Sequence, residues 1–144
     1  MSTGLSAFDT TVQETNLWLK DVERRLPPCG RQEAYAALRA VLHVLRDRLP
    51  VDAVLGVSAQ LPMLLRGVFL EGWRPAAGPT DIRDPQIFAG EVAERLGPTF
   101  PCLPNETAAA VFAVLAEQLD AGEVLKLEHY LPRRLRSFFP AQPA

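Results

Sequence analysis

Apolar residues along this chain recur at intervals of three, four and seven, interrupted by prolines, and that rhythm predicts helices from end to end. Phe8, Val12, Leu19, Val22 and Leu26 make a first stripe, with Leu17 and Trp18 beside it. Asp9 or Ser6 is placed to cap its start, and Pro27-Pro28 stops it. A second helix is predicted over residues 32–48, burying Leu38, Val41, Leu42, Leu45 and Leu49 and turning Arg39, His43, Arg46 and Asp47 outward or sideways. After Pro50, a short helix over 51–57 gives way at Gly56 to a fourth. Ser58 is the expected cap of that fourth helix, Pro62 sits in its first turn, and Leu61, Leu64, Leu65, Val68 and Phe69 form its apolar face.

Residues 73–85, rich in proline, read as a connecting loop. Asp84 followed by Pro85 is a helix-start pair, and the fifth helix runs to Leu96. Asn105 is the expected cap of a helix over 106–119. Asp120, with Glu123 at capping-box spacing, opens a short helix, and a last helix spans 128–139 before Pro140. No segment alternates with period two for the length of a strand, so the predicted fold class is all-α.

The stripes come in two sets. Residues 16–69 and 86–139 align without a gap at an offset of 70, with identities at the buried positions: Val22/Val92, Val41/Val111, Leu45/Leu115, Leu49/Leu119, Leu61/Leu131, Leu65/Leu135 and Phe69/Phe139 among them. Arg25/Arg95, Pro62/Pro132 and Arg66/Arg136 recur as well. The expected architecture is two tandem pseudo-repeated helical bundles packed into one compact unit: 1–72, a linker at 73–85, 86–140 and a tail at 141–144. Gly67 and Ser137, small residues at equivalent positions, mark a place where helices are expected to approach closely.

What the halves do not share is the better guide to function. His43, Arg46, Asp47 and Arg48 face Ala113, Ala116, Glu117 and Gln118, and Met63-Leu64 faces Arg133-Arg134. Trp73 has no counterpart. Met63 and Leu64 are therefore expected on a surface covered by the N-terminal segment, the linker or another subunit. Together with Trp18, Phe69, Leu70 and Trp73 they form the candidate interface.

AYAALRAVLHVLRDRLP, AQLPMLLRGVFLEGW, and the later GEV followed by LPRRLRSFFP resemble an uncharacterised bacterial family, domain of unknown function 2267. The resemblance spans nearly the whole chain and implies a small helical bacterial protein whose second half is the more variable. It brings no catalytic or binding residues with it.

Composition narrows the chemistry. The 144 residues are 48% hydrophobic and 22% charged, enough apolar material for one core under an ordinary polar surface. A net charge of −2 offers no global attraction to nucleic acid or anionic membrane. No apolar run reaches the roughly 20 residues of a membrane span, and the N-terminus lacks a secretory pattern, so a cytoplasmic location is expected. Cys29 and Cys102 have no metal spacing and are expected as reduced thiols, with a bridge between them as the alternative. His43 and His129 are the only histidines, and no metal or cofactor is expected.

Three functions stay open, and no catalytic set is assigned. A non-enzymatic interaction or scaffold module, partnered by another protein or by itself, leads. A small-ligand binder or enzyme in a groove around His43, Arg46 and Asp47 is the second. A regulatory nucleic-acid binder using Arg133, Arg134 and Arg136 is the least favoured, because Asp120, Glu123 and Glu128 weaken its field.

Overall fold

Prolines set most element boundaries in the computed structural model, which describes residues 2–141. Pro27-Pro28 follow α1 (Ser6–Arg25), Pro50 divides α2 (Arg31–Arg48) from α3 (Val51–Gln60), and Pro62 divides α3 from α4 (Met63–Leu70). After a 3₁₀ turn at Pro75–Ala77, Pro85 and Pro104 are the first residues of α5 (Pro85–Leu96) and α6 (Pro104–Gln118), where a missing N–H leaves no bond unmade. Pro132 then divides α7 (Ala121–Tyr130) from a closing 3₁₀ helix, Arg133–Phe138. The described residues contain no strand, and the fold is all-α.

Two helices form the centre. α2 is buried on nearly every side, through Ala34, Ala37, Leu38, Ala40, Val41, Leu42, Val44 and Leu45, and it packs on α1, α5 and α6. α6 is its companion, with Ala108, Val111, Phe112, Val114 and Leu115 inside, and it packs on α1, α2 and α5. The alanines let the backbones come together and the larger residues fill the layers between them. α3 lies against α7, meeting it where Gly56 leaves room for the Glu123 carboxylate: a Cβ at Gly56 would sit 2.8 Å from Glu123 Oε1. The closing 3₁₀ helix packs on α5 and α6, bringing Phe138 and Phe139 onto Phe112 at ring separations of 5.2 and 4.9 Å.

Several local expectations give way to a different geometry. Phe8 and Val12 are exposed, because the first turns of α1 extend past the body that buries Thr15, Trp18, Leu19 and Val22. Asp9 caps no helix; its carboxylate accepts from the Thr3 amide at 2.7 Å. Ser58 is a buried residue within α3 and Pro62 stands at the N-cap of α4, so the break falls at Leu61-Pro62 and not at Gly56. Asn105 lies inside α6, whose start is fixed by Pro104. Neither the Asp120 nor the Glu123 side chain caps α7, since the Glu123 carboxylate is turned to Gly56. The last predicted helix is cut at Leu131-Pro132 into the end of α7 and the 3₁₀ helix. Gly67 has nothing within 4 Å of where its Cβ would be, so no close helix approach occurs there.

Asp84 behaves as its sequence context predicts, its Oδ1 accepting from the Gln86 amide at 2.7 Å. Glu33 accepts from the Gly30 amide at 3.2 Å, the half of a capping box that a glycine N-cap permits.

Candidate functional site

An α-helix ends with carbonyls that have no partner within it. At the end of α4 those carbonyls are taken up by α2. His43 Nε2 lies 2.6 Å from the Val68 oxygen, and Arg46 Nη1 donates to the oxygens of Phe69 at 2.9 Å and Glu71 at 2.8 Å. One α2 turn earlier, Arg39 Nη2 reaches the Glu71 carboxylate at 2.7 Å. Residues 39, 43 and 46 share one α2 face, so a single stripe of donors holds the whole end of α4. A cation suits that end of the helix dipole.

The expectation that His43 and Arg46 turn outward is corrected: they are 3% and 4% exposed. Burial pushes the His43 pKa below its usual 6.5, and the Arg46 and Arg39 charges push the same way against the Val68 bond. Because a carbonyl only accepts, Nε2 carries the proton in this bond.

Asp47 and Arg48 continue the α2 edge into the linker. The Asp47 carboxylate accepts from Arg46 Nε at 2.9 Å and lies 3.5 Å from Arg95 Nη2, while its backbone oxygen accepts from the Thr80 amide at 2.7 Å. Arg48 Nε donates to the Ile82 oxygen at 2.7 Å. Between this edge and the linker is a cavity of about 220 Å³, where Arg46 and Asp47 meet Trp73, Pro75 and Thr80. It is smaller than the roughly 300–1,000 Å³ typical of ligand pockets. His43 is not on its wall, so the structure brings Arg46, Asp47 and Trp73 together there and leaves His43 out.

The candidate interface set divides. Trp18 and Phe69 are core, and Leu70 and Trp73 are partly buried against it. Met63 and Leu64 are exposed at 59% and 47%, left largely uncovered by the described residues. They begin α4 beside the first turns of α1, where the Leu64 amide donates to Thr11 Oγ1 at 2.8 Å. Leu5 and Phe8 on those turns are exposed too. Sequence periodicity assigned Phe8 to the core, because the stripe it continues is genuinely buried from Thr15 onward.

Of the basic group, Arg134 pairs with Asp84 at 3.1 Å and Arg136 donates to the Leu131 oxygen at 3.2 Å. They sit on a six-residue 3₁₀ helix, which is short for a recognition helix in a major groove. Among the described residues no three His, Cys, Asp or Glu converge as metal ligands, and no helix is long and apolar enough to cross a membrane.

The fold defines a small all-helical protein whose polar α2 residues are bonded internally to the end of α4. The chain belongs to the family described as Uncharacterized conserved protein (DUF2267), whose pattern it matches over residues 15–138. No curated protein matches it.

Proposed function

We propose that this protein is a non-enzymatic interaction module that pairs with a second copy of itself through the surface formed where α1 overhangs the start of α4. One observation carries the reading: Leu5, Phe8, Met63 and Leu64 stand uncovered on adjoining elements, while the polar residues peculiar to the first half are engaged in internal bonds. Phe8 and Val12 prolong the buried stripe of Thr15, Leu19 and Val22, so the same stripe of a second α1 is an apt cover for them. Sedimentation or light scattering over a concentration series tests this. A reversible dimer is expected, and Phe8→Asp with Met63→Asp should give a folded monomer whose melting temperature no longer depends on protein concentration. A wild-type chain that stays monomeric throughout the series overturns the proposal.

We also infer that the chain is one unit used twice, residues 1–72 and 86–140, joined by the 73–85 linker and packed about a pseudo-twofold axis. α3 and α7 begin and end at residues offset by 70. Arg66 donates to the Leu61 oxygen as Arg136 does to that of Leu131. Two ion pairs run reciprocally between the halves, Arg25 to Glu117 and Arg95 to Asp47, each residue answering its counterpart's partner. A ligand-binding role remains the second reading, supported by the cavity that Arg46, Asp47 and Trp73 share. A small-molecule thermal-shift screen tests it, with a response abolished by Trp73→Ala as the supporting result.

A further inference from the structure

Cys29 and Cys102 are 73 residues apart in sequence, yet their sulfurs lie 3.3 Å apart. Cys29 is in the turn between α1 and α2, where its amide donates to the Leu26 oxygen at 2.7 Å. Cys102 is in the loop between α5 and α6, its sulfur 3.8 and 3.7 Å from the oxygens of Leu26 and Pro27. Both are free thiols. A disulfide needs about 2.05 Å between sulfurs, so closing the bond asks for a movement of about 1.3 Å, shared between two loop segments. Among the described residues no third ligand joins the pair as a metal site would need.

The two thiols differ in access. Cys29 is 6% exposed, beneath the loop. Cys102 is half-buried and opens onto a surface cleft of about 630 Å³ walled by Leu96, Phe100 and Leu103. We propose that Cys29 and Cys102 are a redox-modification site, closed to a disulfide by a small-molecule disulfide that enters through the Cys102 cleft, and that the bond clasps the α1–α2 turn to the α5–α6 loop.

The steps balance as thiol–disulfide exchange. The Cys102 thiolate attacks one sulfur of the small disulfide, whose S–S bond breaks; the first small thiolate leaves and takes a proton from water. Cys29 then gives up its proton to solvent and attacks Cys102 Sγ. The mixed disulfide breaks, and the second small thiolate leaves and is protonated. Two protein thiols have been oxidised to one disulfide and one small disulfide reduced to two thiols. The order follows from access, and burial reinforces it: together with the adjacent Cys102 sulfur it pushes the Cys29 thiol up to about 12, so little of Cys29 is thiolate to meet a dilute outside oxidant, whereas a mixed disulfide on Cys102 is held against it and needs only that small fraction.

Oxidised glutathione and the full chain test this, read by intact mass and by thiol titration in denaturant. The wild type is expected to show the mass of a single chain lighter by two hydrogens, with no free thiol and no covalent link between chains. Its melting temperature should rise by roughly 10 °C over the reduced form, since the bond closes a long loop. Cys29→Ala should stall with one glutathione on Cys102, and Cys102→Ser should take up glutathione at least about tenfold more slowly than Cys29→Ala does. A wild type that ends with two glutathiones, as a disulfide-linked dimer, or unmodified overturns the proposal, and that result stands without either variant.

Discussion

Replacing Arg46 tests whether the polar edge of α2 is architecture. In Arg46→Met the alkyl stem stays and the donors go. The Phe69 oxygen, bonded inside the protein, and the Glu71 oxygen, half-buried, are then left without their partner. An unsatisfied buried acceptor costs about 1–3 kcal/mol, so the two together come to about 3 kcal/mol, with the partly wet Glu71 oxygen at the low end. Removing a buried guanidinium also relieves its desolvation, which offsets part of the loss. Asp47 is less affected, because it is 29% exposed and keeps Arg95 nearby. The net expectation is a loss of about 2–3 kcal/mol, a large share of the roughly 5–15 kcal/mol that holds a domain folded. In urea unfolding this is a midpoint lower by about 1 M at unchanged slope, given a slope of about 2 kcal/mol per molar. Arg46→Lys keeps a charge and loses the fork, and should fall between the two. If Arg46→Met unfolds within about 0.5 kcal/mol of wild type, as ordinary surface substitutions do, the clamp is not holding α4 and the reasoning fails.

Other expectations follow from the same geometry. His43 is held below its usual 6.5, so as pH falls from 7 the unfolded chain takes up a proton that the folded chain resists. Stability should therefore drop as pH falls below about 6.5, and His43→Gln, which keeps an N–H donor for Val68 but does not titrate, should flatten that part of the profile. Asp21 acts in a lower window: burial works against its ionisation, but Arg24 and Arg25 prevail and hold it below 3.8, so its share is lost only under stronger acid. Gly67→Ala should stabilise by about 0.5–1 kcal/mol, a melting temperature higher by a few degrees, since a helical glycine with open space gives up entropy for nothing.

The core was legible in the sequence because it is periodic. Leu38, Val41, Leu42, Leu45 and Leu49 are buried where their spacing puts them, as are Leu61, Leu65 and Phe69. Proline also spoke plainly wherever it ended a helix. The polar residues were harder to read. His43 and Arg46 look like an exposed edge until the α4 carbonyls, more than twenty residues away, are brought over them. Exposure of Phe8 depends on where the body stops, which periodicity does not encode. The meeting of Cys29 with Cys102 depends on the paths of two loops, and no spacing rule reports that.

The segment after Trp73 has the proline-rich composition of a connecting loop, yet two bonds fasten it to the end of α2, the Thr80 amide to the Asp47 oxygen and Arg48 Nε to the Ile82 oxygen. Between those anchors and the Asp84 cap of α5 there is almost no slack. The segment is thus fastened at both ends as a strut is, where its composition suggests a hinge.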